Sequence, residues 1–347
     1  MADSLRAESL WFTAPRQVEI RAATLAPPGP GEVLVRTKLS AISAGTELLI
    51  YRGQAPSDLP ADDTLPALSG MLALPLRYGY AAVGRVVGLG EGVPPEYLNR
   101  RVMAFQPHAT HFTARVEQVV SLPEAISDEE AAFLPNLETA VNLVLDGAPR
   151  IGEQVAILGQ GVVGLLTTAL LSRMPLASLA TAEAFPRRRE ASIAMGAHAC
   201  LDPAAENFAS ELALRLQAQR PYPGADLTYE LSGDPTALDL AVAITGRNGR
   251  IVIGSWYGTK RAPIHLGGRF HRSRIRMISS QVSSLAPELS GAWTTTRRLE
   301  VALSLLPGLP VRNLVTHRLP FHQSSDAYRI LDESPAEALQ VLLTYSA

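Results

Sequence analysis

The chemistry-bearing pattern of this chain is a glycine turn between two apolar runs. It reads Val155-Ala-Ile-Leu158-Gly159-Gln160-Gly161-Val162-Val163-Gly164, followed by Leu165-Leu-Thr-Thr-Ala-Leu-Leu171. Glu183 ends the next apolar run, nineteen positions after Gly164. Each part suits one task. Gly159 permits a tight turn, Gly161 lets backbone approach a pyrophosphate, and Gly164 allows a helix to pack closely on a strand. The first N–H groups of the helix have no intrahelical partner and can face phosphate oxygens. A carboxylate at Glu183 can accept from a ribose hydroxyl. Strand before, helix after and acid at this distance together predict a dinucleotide site, where glycines alone would mark only a turn.

Glu183 also bears on which dinucleotide. A carboxylate accepts from a 2′-hydroxyl and repels a 2′-phosphate, which favours NAD and leaves NADP open. The run Pro186-Arg-Arg188-Arg189 opens a helix whose dipole opposes it, so either an anion lies nearby or the arginines form a solvated face. Gly268-Arg-Phe-His-Arg-Ser-Arg-Ile-Arg276, just before the last strand of the alternating portion, is a second basic stretch, read as a solvated loop in preference to a surface for an acidic substrate or a neighbouring subunit. A second polar spacing is His108-Ala-Thr-His111. Two histidines three apart meet only on a helix, and this pair lies between strand-like runs, where i and i+3 point to opposite faces.

The elements that must position these residues follow from periodicity. Val18–Arg21, Glu32–Leu39, Tyr80–Val87, Val102–Phe105 and Val116–Leu122 read as strands of a small β-rich portion. Residues 53–75, rich in proline, aspartate and glycine, read as a surface loop. Ser127 and Glu130 stand in capping-box register for a helix start. From about residue 150 strands alternate with helices. Strands are expected at 154–158, 178–182, 198–201, 226–231, 250–254 and 274–279, and helices at 162–173, 187–195, 206–219 and 236–245. Gly196 falls where a helix end needs a left-handed residue. That rhythm predicts an α/β fold with a doubly wound parallel sheet. A helix (Thr294–Leu306), a strand (Asn313–Leu319) and a last helix–strand unit close the chain.

Bulk numbers narrow the function class. The 347 residues suffice for two domains, and 47% hydrophobic content can fill their cores. A net charge of −2 points to neither nucleic acid nor an anionic membrane as partner. The single cysteine, Cys200, excludes an internal disulfide framework and any zinc cluster built of cysteines. The opening segment Met1-Ala-Asp-Ser-Leu-Arg-Ala-Glu8 lacks a basic-then-apolar signal, and no apolar run is of membrane-spanning length, so the expected location is the cytoplasm.

The order of β-rich portion, dinucleotide portion and short return resembles the medium-chain dehydrogenase/reductase superfamily over nearly the whole chain. The residues that carry the resemblance are Tyr78–Gly90, the Gly159–Gly164 turn, Ala225–Gly233, Asn248–Gly254 and Val315–Phe321. Ser43-Ala-Gly-Thr-Glu47, Arg77–Tyr80, Pro107–Thr110 and Asn136–Ala140 are similar to the branch that contains bacteriochlorophyllide a dehydrogenase and many zinc-type alcohol dehydrogenase relatives. The resemblance implies a Rossmann domain (138–285) inserted into a GroES-like catalytic domain (1–137 and 286–347), with substrate and nicotinamide meeting in the cleft between them. It implies cofactor contacts at Gly159, Gln160, Gly161, Val162, Val163, Gly164, Glu183, Arg188, Ser232 and Gly254. A homodimer extended through the last cofactor-domain strand is also implied.

Zinc members of the superfamily place three metal ligands where this chain has Ala44, Tyr80 with Ala81, and approximately Pro135. Methyl groups and a phenol do not replace thiolate and imidazole, so no family-type zinc is expected. Polarising work would then fall to side chains. Tyr80 takes the place of the missing histidine, and Thr46 matches the hydroxyl that relays a proton in zinc members. His108 could supply the exchangeable proton near neutral pH, oriented by Glu47 or Glu138. Against these roles stand plain ones: Tyr80 as a satisfied core aromatic, Thr46 as a strand-end cap, Glu138 as a helix N-terminal charge, and one histidine merely packed or solvated. A substitute metal site from His108, His111, Glu47 and Glu138 is disfavoured. The expected activity is zinc-independent hydride transfer between a secondary alcohol and a ketone on a small molecule. Reduction of an activated C=C bond, an inert dinucleotide-binding protein and a true zinc enzyme are the rivals.

Overall fold

The computed structural model describes residues 5–216 and 223–346. Met1–Ser4 of the opening segment and the last three positions of the expected 206–219 helix lie outside the described residues. The chain forms two compact units, Met1–Pro135 with Leu306–Ala347, and Asn136–Leu305. In chain order the regular elements are β1 (Leu5–Ala14), β2 (Gln17–Leu25), β3 (Glu32–Ile42), α1 (Ala44–Tyr51), β4 (Ala82–Leu89), β5 (Arg101–Ala104), β6 (His111–Arg115), β7 (Val119–Ser121), α2 (Asp128–Ala131) and α3 (Leu134–Gly147). The second unit continues with β8 (Gln154–Leu158), α4 (Val162–Leu171), β9 (Ser178–Ala182), α5 (Pro186–Ala194), β10 (Ala199–Leu201), α6 (Phe208–Arg215), β11 (Ala225–Glu230), α7 (Ala237–Ile244), β12 (Thr245–Ile253), β13 (Arg276–Ser279) and α8 (Thr295–Leu305). The chain then returns through β14 (Val315–Pro320), α9 (Ser324–Glu333) and β15 (Gln340–Thr344).

In the first unit the strands run in the order β14-β15-β3-β4-β5-β7, with β6 also paired to β3, and β1 and β2 form a separate ladder. Alternation drives β3: Val33, Val35 and Thr37 are buried while Arg36 and Lys38 are exposed. From Leu39 to Ile42 both faces are buried, so the strand ends inside the unit. Helix α1 follows at once. Glu47 through Tyr51 are all buried, and this lack of an exposed stripe removes the helical period by which sequence reading finds helices. Tyr51 stacks on Tyr328 of α9 at 5.4 Å, and Tyr328 meets Phe12 edge-on at 5.2 Å. Each apolar side chain buried there contributes about 2 kcal/mol. The expected strand 116–122 is shorter, because Val116–Gln118 form a single 3₁₀ turn before β7. Ser127 and Glu130 make the reciprocal capping box.

The second unit is a six-stranded parallel sheet in the order β10-β9-β8-β11-β12-β13 with helices between the strands. All five residues of β8 are buried, as a central parallel strand requires. Gly196 takes the positive φ of a helix end after α5. The strand order reverses between β8 and β11, and the carboxyl ends at such a switch point form a ligand crevice. The fold is the doubly wound α/β Rossmann sheet together with a β-rich unit. Among the described residues no helix is long and apolar enough to cross a membrane.

Candidate functional site

The glycine turn sits at the carboxyl end of β8. Gly159 has φ +93, and a Cβ there would stand 2.5 Å from Ser232 Cα and 2.6 Å from Leu231 O. A Cβ on Gly164 would stand 2.2 Å from Gly159 O, so helix α4 approaches the turn as closely as backbone allows. Gly161, by contrast, has nothing within 4 Å of its would-be Cβ. Two glycines are fixed by the protein's own backbone, and the third faces open space at the helix N-terminus. Val162 and Val163 form the half-buried first turn of α4. This cradle fits a pyrophosphate.

Glu183 is 7% exposed. Its Oε2 accepts from Gln160 N at 2.8 Å and its Oε1 from Phe185 N at 3.0 Å. The acid therefore fixes the glycine turn through the Gln160 amide. Gln160 is fully buried, and its side chain donates to Gly159 O and accepts from Thr168 Oγ1 at 2.9 Å. The arginines after Glu183 differ in employment. Arg189 pairs with Asp202 at 3.1 Å and donates to the carbonyls of Glu183 and Ala184. Arg188 lies over the Phe185 ring at 4.9 Å, and burial lowers its pKa against the pull of Glu183. Gly254 ends β12, where a Cβ would press on Leu143 and Leu231 side chains.

The first unit gathers hydroxyls and one carboxylate around the join of β3 and α1. Glu47 has no exposed surface. Its Oε1 accepts from Ser43 N at 2.8 Å, while Oε2 accepts from the Tyr328 hydroxyl and lies 3.0 Å from His108 Nε2. Because a carboxylate only accepts, the proton of that contact sits on Nε2, and a neutral ring then accepts at Nδ1 from Ser40 Oγ, 2.7 Å away. Ser40 in turn accepts from Tyr345 at 2.9 Å. Donation thus runs from Tyr345 through Ser40 and His108 to Glu47. A Cβ on Gly79 would meet the His108 ring at 2.8 Å, so the segment before Tyr80 lies directly on the imidazole.

Tyr80 is half-buried and heads a second row. Its hydroxyl donates to Ser43 Oγ and approaches Thr46 Oγ1 at 3.4 Å. Burial pushes its phenol up to about 12 against the opposing bonds from Ser43 and Thr46. The hydroxyl therefore stays protonated throughout the neutral range.

Of the expected catalytic residues, the structure brings together Thr46, Tyr80, Glu47 and His108 within one unit. His108, expected as a source of the exchangeable proton, is enclosed. It has no exposed surface and both its nitrogens are bonded, so it cannot itself touch a substrate. Glu138 is not part of this group. It belongs to the second unit, 6% exposed, and its Oε1 accepts from Arg298 Nε and Nη2 at 3.1 and 2.9 Å. Burial raises the Glu138 pKa, and Arg298 opposes the rise. His111 lies on β6 beside Thr110, where burial and Arg36 keep its pKa low.

Sequence reading missed Ser40, Tyr328 and Tyr345, which lie up to 305 positions from their partners and carry no local pattern. Ser43 was within reach, since it opens the motif that contains Thr46 and Glu47.

The positions where superfamily members hold zinc do not fit a metal. Ala44 and Ala81 carry no donor, and the Tyr80 hydroxyl donates to Ser43. Among the described residues no group of three or more His, Cys, Asp and Glu side chains could hold an ion.

Comparison with known proteins agrees with the fold. No protein-family model matches the chain. It is 26% identical to a 2-desacetyl-2-hydroxyethyl bacteriochlorophyllide A dehydrogenase of Cereibacter sphaeroides over 99% of both chains. It is 27% identical to an (R,R)-butanediol dehydrogenase of Bacillus subtilis, over 68% of this chain and 73% of that one. An alcohol dehydrogenase of Escherichia coli CFT073, solved with NADH, superposes with a TM-score of 0.77 at 19% identity, covering 98% of this chain and 99% of that one. With the Gly159–Gly164 cradle and the doubly wound sheet, these likenesses support a nicotinamide-dependent oxidoreductase, similar to zinc-type alcohol dehydrogenase-like proteins of the medium-chain dehydrogenase/reductase kind.

Proposed function

We propose that the protein interconverts a secondary alcohol and a ketone on a small molecule without a zinc ion, using NAD in preference to NADP. When bound, the nicotinamide supplies or takes the hydride at the carbinol carbon. The protein's share is to polarise the oxygen and to handle one proton.

The observation that carries this reading is the hydroxyl row at a lost zinc position. Tyr80 gives its one proton to Ser43 Oγ and stands 3.4 Å from Thr46 Oγ1, and in this reading the Thr46 hydroxyl hydrogen is the donor to a substrate oxygen. Tyr80, with its phenol pushed up to about 12, holds its proton until a stronger base takes it. Glu47 and His108 act behind this row. Glu47 fixes Ser43 through its backbone N–H, and the His108 ring packs under Gly79. His108 serves as a positioning residue here.

The preference for NAD is supported by the Glu183 carboxylate at the ribose position and by the commitment of Arg189 to Asp202, which leaves fewer cations for a 2′-phosphate. The exposed edge of the parallel sheet at β13 is the face through which a second copy would pair.

The test is a substrate panel with wild type and Tyr80→Phe. Oxidation of secondary alcohols with NAD, lost on removal of the hydroxyl and unaffected by chelators, supports the reading. Turnover only with quinones or enones would replace it by C=C reduction. NADH binding with no turnover of any substrate would leave a dinucleotide-binding protein.

A further inference from the structure

Glu230, the last residue of β11, has no exposed surface, and both its carboxylate oxygens are engaged. Oε1 accepts from Ser232 N at 2.8 Å and from the Ser232 hydroxyl, while Oε2 accepts from the Tyr257 hydroxyl. Burial and the adjacent carboxylate push the Tyr257 phenol far above its ordinary value, which keeps it a donor. Ser255 Oγ accepts from Gly233 N at 2.9 Å and donates to Glu230 O at 3.4 Å. Lys260 donates to Gly233 O. The segments following β11 and β12 are therefore tied together by side chains beyond the last ladder pair, Glu230 with Ile253.

The tied loop is a wall of the glycine turn. Leu231 N donates to Leu158 O at 2.8 Å. Ser232 Cα is the atom that a Cβ on Gly159 would strike. Ser232 and Asp234 are themselves exposed, so no apolar anchor at those positions holds the wall in place. A buried carboxylate at that junction is costly unless hydrogen-bonded, and its donors come from the two loops, so keeping it satisfied keeps those loops together.

We propose that Glu230 and Tyr257 are positioning residues for the nicotinamide dinucleotide. They latch the loop from Leu231 to Asp234 against Gly159 and keep the cradle at Gly161 open for the pyrophosphate. The inference rests on the dinucleotide assignment of the turn and on no assumption about the substrate. Because the latch shapes the cradle and does not touch the nicotinamide, it acts equally on oxidised and reduced cofactor.

Equilibrium titration of full-length wild type, Tyr257→Phe and Glu230→Gln with NADH and with NAD, alongside thermal unfolding, tests it. The latch predicts that both Kd values rise together by about tenfold, measured below the unfolding transition of each variant. Glu230→Gln keeps one acceptor and should show the same pattern if Tyr257→Phe fails to fold. Wild-type affinity for both cofactors in the variants overturns the latch, whether Tm falls or not. Loss of affinity for NAD alone also overturns it, because that is the signature of charge and not of shape. A wild-type chain that holds no NADH defeats the dinucleotide assignment itself, an outcome distinct from failure of the latch.

Discussion

The glycine turn of the second unit and the polar group at Glu47 in the first are both built where a strand gives way to a helix. They are made of different material. The turn is built chiefly of backbone: a Cβ on Gly164 would meet Gly159 O, one on Gly159 would meet the Leu231–Ser232 backbone, and the Glu183 carboxylate accepts from the Gln160 amide. The Glu47 group is side chains drawn from across the sequence, with Tyr328 281 positions from the carboxylate it serves. A contiguous backbone site tolerates change wherever its atoms face outward and fails where they face inward. A side-chain network fails wherever any member leaves a buried partner unpaired.

Four substitutions and one titration press on that contrast. The largest effect is expected for Glu47→Ala, which strands His108 Nε2, Tyr328 Oη and Ser43 N in a fully buried setting. It should cost about 4 kcal/mol in denaturant unfolding, while the folded fraction still binds NADH. Gly159→Ala comes next. At φ +93 with backbone 2.5 Å away, it should cost on the order of 3 kcal/mol and abolish NADH binding in a fluorescence titration. Stability loss with unchanged cofactor affinity in this variant would break the contrast.

Tyr80→Phe removes a half-buried hydroxyl with partners that can meet water. Unfolding should shift by less than about 1 kcal/mol, while turnover of the best secondary alcohol falls by roughly 100-fold. Gly161→Ala is the sharper counterpart of Gly159→Ala. Its Cβ meets no protein atom within 4 Å, so stability should hold within about 0.5 kcal/mol while NADH affinity drops by about tenfold.

The smallest effect concerns pH. The fold raises the Tyr80 phenol to about 12 from its ordinary value of 10.0 and so favours the neutral form. Its contribution is fully present below pH 10 and is lost as pH climbs toward 12. Burial also pushes up Tyr78, Tyr229, Tyr328 and Tyr345. The tyrosinate absorbance of these five phenols should therefore stay absent through the neutral range and appear only with alkaline unfolding. A titration of these phenols near pH 10 without unfolding would contradict their burial.

The same contrast explains what the sequence discloses. Glycine spacing, apolar strands and Gly196 are local signals, and they anticipate β8, α4, β9 and the parallel doubly wound sheet. The helix α1 gives no such signal, because Glu47 through Tyr51 are buried on every side. His108 looks like an exposed acid–base residue in sequence, and only the fold shows Gly79 covering its ring. Glu138 sits in a motif with Asn136 and Ala140, yet its partner Arg298 is 160 positions away. Tyr257 and Glu230 each look ordinary alone; their meaning comes from meeting behind the turn.

Zinc analysis of the protein purified without chelators tests the central claim most directly, read beside NADH titration of the same sample. The account predicts zinc far below stoichiometric with NADH binding intact, because Ala44, Tyr80 and Ala81 stand where metal ligands would be needed. Stoichiometric zinc that is required for turnover would contradict it.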